Sequence, residues 1–203
     1  MKRRKAVLTA ALALLVALVA FGTAAFFSGE AHVTNVITTG KIDITLNEYT
    51  KEGDQLVAWP SKGITGVMPG QSVDKLVSVE SVAGSSDAWV RVKVESTITA
   101  ADGKENLSTS GMLVFDIQPG WVAGADGYYY YSKPLTAGWT TPELFTKVTF
   151  DPSMPNEYQG CTVKVDVFAQ AVQVKNNTGT GETPITELTT SNYNQIAGWP
   201  VKK

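Results

Sequence analysis

The 203-residue sequence predicts an all-β protein, an antiparallel jelly roll or β-sandwich forming a single domain behind a cleavable N-terminal signal helix. Three observations carry that expectation. Residues 89–95 read Trp-Val-Arg-Val-Lys-Val-Glu, placing valines on one side of a strand and charges on the other. Runs of this kind are short and are separated by clusters of Gly, Pro, Asp and Ser, with no long helical pattern between them. The only long apolar run lies at the start of the chain, where a leader belongs.

Lys2, Arg3, Arg4 and Lys5 precede a stretch from Ala6 to Phe27 that holds no charged residue. Small residues at Thr23 and Ala25 occupy the positions that a signal peptidase reads, so cleavage is expected after Ala25, leaving Phe26 as the new N-terminus. The competing reading is an uncleaved anchor, because about 20 apolar residues span a bilayer. Basic residues on the short N-terminal side place the body of the protein outside in either case. The expected organisation is a signal peptide over 1–25, an extended arm over 26–40, a β-sandwich over 41–175, and a polar linker with a C-terminal tail over 176–203.

Within the body, Ile42, Ile44 and Leu46 alternate with Asp43, Thr45 and Asn47, and the same period appears over 76–82 and 89–95. In each the expected arrangement is one face in the core and one in water. Further strands are expected over 112–117, 127–132, 145–150 and 161–174. In the last, Val163, Val165, Val167 and Ala169 share a face before the apolar positions move to Val172 and Val174, which suggests a bulge near 169–171. The run Tyr128, Tyr129, Tyr130 and Tyr131 in a strand sends alternate rings to opposite faces, two to the core and two to the surface. After the polar stretch 176–184, Ile185, Leu188, Ile196 and Trp199 form a thin apolar pattern that fits a docked tail or a disordered one.

Composition excludes several functions. Four of the 17 Lys and Arg residues belong to the leader, so the remainder is acidic against 19 Asp and Glu, a poor partner for nucleic acid or anionic lipid. Once cut, the chain shows no second apolar segment to hold it at a membrane. Cys161 stands alone, so no intrachain disulfide is available, and it reads as a small apolar residue at the start of a strand. His32 is the only histidine, which leaves a two-histidine zinc site out of reach of one chain and gives a Ser-His-Asp triad no firm support. Asp54, Asp74, Glu80, Asp116, Asp126, Asp151, Glu157 and Asp166 are scattered without a calcium-loop spacing. No catalytic residue, metal or cofactor is expected, and the chain reads as a non-enzyme.

A resemblance accompanies these residues. Residues 23–28, Thr-Ala-Ala-Phe-Phe-Ser, followed by Asn-Val-Ile-Thr-Thr-Gly-Lys-Ile-Asp-Ile-Thr-Leu-Asn-Glu over 35–48, resemble the N-terminus of the TasA and camelysin family. Met68-Pro69-Gly70-Gln71 with Lys75, the strand 88–92, the tyrosine run with Pro134-Leu135, and 158–173 are similar to its body. The tail beyond 174 is not covered, and Gly29 stands where the family usually has an acid.

The resemblance implies a SipW-type signal peptidase as a transient partner and an exported jelly-roll subunit of Gram-positive biofilm-matrix fibres. It further implies assembly by donor-strand exchange with itself or a related matrix subunit. Phe26, Phe27, Val33, Val36 and Ile37 are the residues expected to fill a neighbour's groove. Membrane contact is then confined to the time before cleavage, and the product is secreted to the matrix or cell surface. The alternative is a monomeric surface adhesion or ligand-binding module. A camelysin-like surface protease is further off, since one histidine supplies no paired ligand motif.

Overall fold

The computed structural model describes residues 41–60, 68–179 and 184–200, together with the strand backbones Val33–Asn35 and Ile64–Thr65. The expected signal segment, the cleavage residues Thr23, Ala25 and Phe26, and the arm residues Phe27, Val36 and Ile37 lie outside the described residues, as does His32. The described residues fall within the compact unit His32–Lys203.

The described strands are β1 (Val33–Asn35), β2 (Ile44–Glu52), β3 (Gln55–Ala58), β4 (Ile64–Thr65), β5 (Ser72–Asp74), β6 (Leu76–Ser81) and β7 (Ala88–Thr99). They continue with β8 (Asn106–Leu107), β9 (Leu113–Phe115), β10 (Trp121–Ala123), β11 (Tyr128–Tyr131), β12 (Lys147–Phe150) and β13 (Thr162–Gln173). Helical turns among the described residues are limited to two short 3₁₀ segments, Asn156–Tyr158 and Tyr193–Gln195. The protein is all-β.

The largest sheet runs β1-β13-β7-β11-β10, with β4 also on β13 and β8 on β7; two smaller sheets run β5-β12-β9 and β3-β2-β6. Their pairings are antiparallel except for β1, which lies parallel to β13. The alternating runs seen in the sequence line the interior between the sheets. Val77 and Val79 from β6, Val90 and Val92 from β7, Val148 and Phe150 from β12, and Val163, Val165, Val167 and Ala169 from β13 share one core. Burying a large aliphatic side chain in such a core contributes about 1.5–3 kcal/mol.

β7 and β13 pair through all twelve residues in unbroken register, from Thr99 opposite Thr162 to Ala88 opposite Gln173. The bulge expected near 169–171 is therefore absent. What moves the apolar positions is a second buried face: Ala169 and Ala171 stay in the main core, while Gln170 and Val172 on the opposite face are also buried.

That second face has its own core. Trp89, Tyr130, Val172, Leu188 and Ile196 are buried together, with Tyr193 and Trp199 packed against them. The C-terminal segment 184–200 thus docks as a strap over the outer face of the main sheet. Trp89 Nε1 donates to the carbonyl of Asn177 at 2.8 Å, and Asn177 exchanges two bonds with the backbone of Ala197, at 2.8 and 3.1 Å. The same strap corrects two expectations of water-facing surface. Arg91 is half-buried rather than exposed, and in the tyrosine run Tyr129 and Tyr131 pack on the main core while Tyr128 and Tyr130 pack on the second.

Gly124 opens the turn before those tyrosines because a Cβ there would lie 2.7 Å from the Tyr130 ring and 3.0 Å from Tyr193. Cys161 is buried in the main core, where desolvation pushes its thiol up from the usual range. Among the described residues no helix is long and apolar enough to cross a membrane.

Candidate functional site

The second edge of β13 is used unevenly. At its start β4 pairs with Thr162 and Val163, and near its end β1 pairs with Ala169, Gln170 and Ala171. Between them, Lys164, Val165, Asp166 and Val167 have no strand on this edge among the described residues. In an antiparallel pair with β7, alternate backbone groups of these residues point away from β7. A strand edge without a partner is a template for another extended chain.

The gap coincides with a groove of about 560 Å³. Leu46 and Glu48 of β2 form one wall with Ala58 and Trp59 at the end of β3, and residues 164–168 of β13 form the other. The hairpin of β2 and β3 positions the first wall, since Tyr49 stands opposite Ala58 and the Trp59 amide donates to the Glu48 carbonyl at 3.0 Å. Alternation on β13 positions the second: Val165 and Val167 turn toward the core, while Lys164 and Asp166 lie on the other face and pair with each other at 2.9 Å.

Behind the first wall lies a charge that sequence reading did not single out for this role. Lys75 is fully buried, its Nζ 3.1 Å from Glu48 Oε2 and 4.1 Å from the centre of the Trp59 ring. Burial pushes its ammonium below the usual lysine range, and Glu48 opposes that shift. The pair braces β2 against the strand that begins at Leu76, and it orients Trp59, which is itself part of the groove. Positive and negative groups alternate around the site, Lys75 with Glu48 and Lys164 with Asp166, so no single sign of charge dominates. A strand with an apolar face and a polar face suits such a groove better than a phosphate or a polybasic segment.

Of the residues expected from sequence to act in assembly, Val33 lies in β1, opposite Ala169 and toward the stretch of β13 that no described strand pairs on this edge. Phe26, Phe27, Val36 and Ile37 lie outside the described residues. Sequence reading missed Trp59, Glu48 and Lys164 as a group, although the Trp59-Pro60 pair marks where β3 must end. Among the described residues no group of three or more His, Cys, Asp or Glu side chains converges. No protein-family model, curated protein or solved structure matches the chain.

Proposed function

We propose that this protein is an exported structural subunit of an extracellular fibre, in which the arm 26–37 of one copy enters the groove along β13 of the next. The observation that carries this proposal is the stretch Lys164–Val167, which no described strand pairs on this edge, set between the strand-paired ends of β13 and faced by Leu46 and Trp59. Insertion of one chain's arm into another chain's sheet is heterologous, so it need not close and builds a filament. Main-chain hydrogen bonds supply the affinity in this mode, and pockets for alternate side chains supply the selectivity.

The N-terminal sequence supports the same conclusion. Its similarity to TasA and camelysin proteins at 23–48 fits a jelly-roll subunit released after Ala25 by a SipW-type signal peptidase and retained in a biofilm matrix. No cofactor enters this function. Phe26 and Phe27 at the freed terminus, followed by Val33, Val36 and Ile37, offer the apolar groups an incoming strand needs.

The test compares a chain starting at Phe26 with one starting at Gly40, by light scattering and negative-stain microscopy over days. Filaments from the longer chain alone, suppressed by free peptide 26–37, are the expected result. Monomers from both would overturn self-assembly and leave a surface-bound binding module as the better description.

A further inference from the structure

We infer that the C-terminal strap 184–200 sets how firmly the end of β13 holds β1 on its second edge, and that Gln170 is the positioning residue through which it acts. Three elements meet on this one residue. Its backbone lies opposite Arg91 of β7 on one side and opposite Thr34 of β1 on the other. Its side chain is buried and used at both ends: Oε1 accepts from Arg91 Nε at 2.9 Å, and Nε2 donates to the Pro200 carbonyl of the strap at 3.3 Å.

The strap also fixes Arg91 from above. The guanidinium lies 3.9 Å from the Tyr128 ring and 4.5 Å from the Trp199 ring, and its Nη1 is 3.4 Å from Asp126. When the strap is seated, Arg91 and Gln170 hold each other in one arrangement, and the stretch of β13 that pairs with β1 is buried on both faces. When the strap leaves, Gln170 loses an acceptor, Arg91 loses one face of its aromatic enclosure, and β13 keeps a single packed face. Local opening of a strand becomes easier as buried contacts are removed from it.

Trp199 Nε1 is buried without a hydrogen-bond partner among the described residues, a cost that limits how tightly the segment is held. Strap release therefore loosens the β1 pairing at Ala169–Ala171, next to the groove, and the strap acts as a regulator of strand exchange there. The regulatory consequence rests on the fibre assignment above; the physical coupling between strap and β1 does not.

Hydrogen exchange on the chain starting at Phe26, which keeps the whole compact unit, separates the two. The amides of Val33, Thr34 and Asn35 are followed in the parent chain, in Gln170→Ala, in a chain ending at Lys175, and in the combination. Gln170→Ala is expected to speed their exchange about three- to tenfold, the weight of one buried hydrogen bond, and the shortened chain at least as much, while Ile98 and Thr99 at the far end of β7 keep their rates. In the shortened chain Gln170→Ala is expected to add little, because both act through the same link.

Additive effects, or equal acceleration at Ile98 and Thr99, would show general destabilisation and overturn the proposal. If the shortened chain does not fold, Ile196→Ala loosens the strap in its place and is read in the same way. Coupled exchange in a chain that never forms filaments would sink the fibre assignment and leave the strap coupling standing.

Discussion

Replacing Glu48 with Gln removes the carboxylate paired with Lys75, and the cost follows from the burial of the pair. The Lys75 side chain is 0% exposed and Glu48 is 26% exposed, at a separation of 3.1 Å. Breaking a fully buried pair costs about 3–5 kcal/mol, because the remaining charge is left uncompensated. With one partner a quarter open to water, about 2–3 kcal/mol is expected for Glu48→Gln, read as a lower urea midpoint with unchanged slope.

The pH dependence has a defined sign. Lys75 is held below the usual lysine range when folded, so as pH rises toward the range in which a free lysine titrates the unfolded chain binds more protons at this group, and the Lys75 contribution to stability rises. Loss of Glu48 deepens the shift, so the deficit of the variant shrinks as pH climbs toward the range in which a free lysine titrates. Lys75→Met makes the complementary case: it removes the buried charge, keeps the volume, and leaves Glu48 in contact with water. Its stability is expected within about 1 kcal/mol of the parent. A Glu48→Gln cost under about 0.5 kcal/mol, the scale of an exposed pair, or a Lys75→Met cost equal to it, would refute the assignment of Lys75 as a desolvated charge held by Glu48.

Leu188→Ala empties a site in the second core that is 1% exposed and is expected to cost about 2–4 kcal/mol by chemical denaturation, with the strap released before the main core. Tyr130 is pushed up to about 12 from 10.0 by burial and by its bond to Asp126, so its contribution is complete below pH 10 and is lost as pH rises through 12. The denaturation midpoint should fall across that window, and Tyr130→Phe should flatten the fall while lowering stability at neutral pH. Cys161 should resist a thiol reagent in the native chain and react once urea unfolds it, because its thiol is buried and its ionisation disfavoured.

The long strands were legible because each places a full face in one core. Val90 and Val92, or Val163, Val165 and Val167, announce a period of two that no loop reproduces. Strands of two to four residues such as β3, β4, β8 and β10 are too short to display a period, and long-range pairing alone creates them. β13 misled in an instructive way: a strand covered on one face along its first half and on both along its second produces a phase shift that resembles a bulge.

The strap carried its anchors, Ile185, Leu188, Ile196 and Trp199, without regular spacing, since it is mostly neither helix nor strand and each anchor finds its own pocket. The groove had no local signature at all. Its walls, 46–59 and 164–168, are separated by more than half the sequence, and only the pairing of β7 with β13 brings the second wall to its place.

The most direct measurement titrates peptide 26–37 into isotope-labelled chain starting at Gly40 and follows its backbone amides by NMR. Insertion along β13 predicts saturable shifts confined to residues 164–171 and to the facing wall at Leu46, Glu48 and Trp59, with slowed solvent exchange for the amides of 164–167. Absence of binding, or shifts that gather elsewhere while 164–167 keep their exchange rates, would contradict the assignment of this edge as the strand-accepting site.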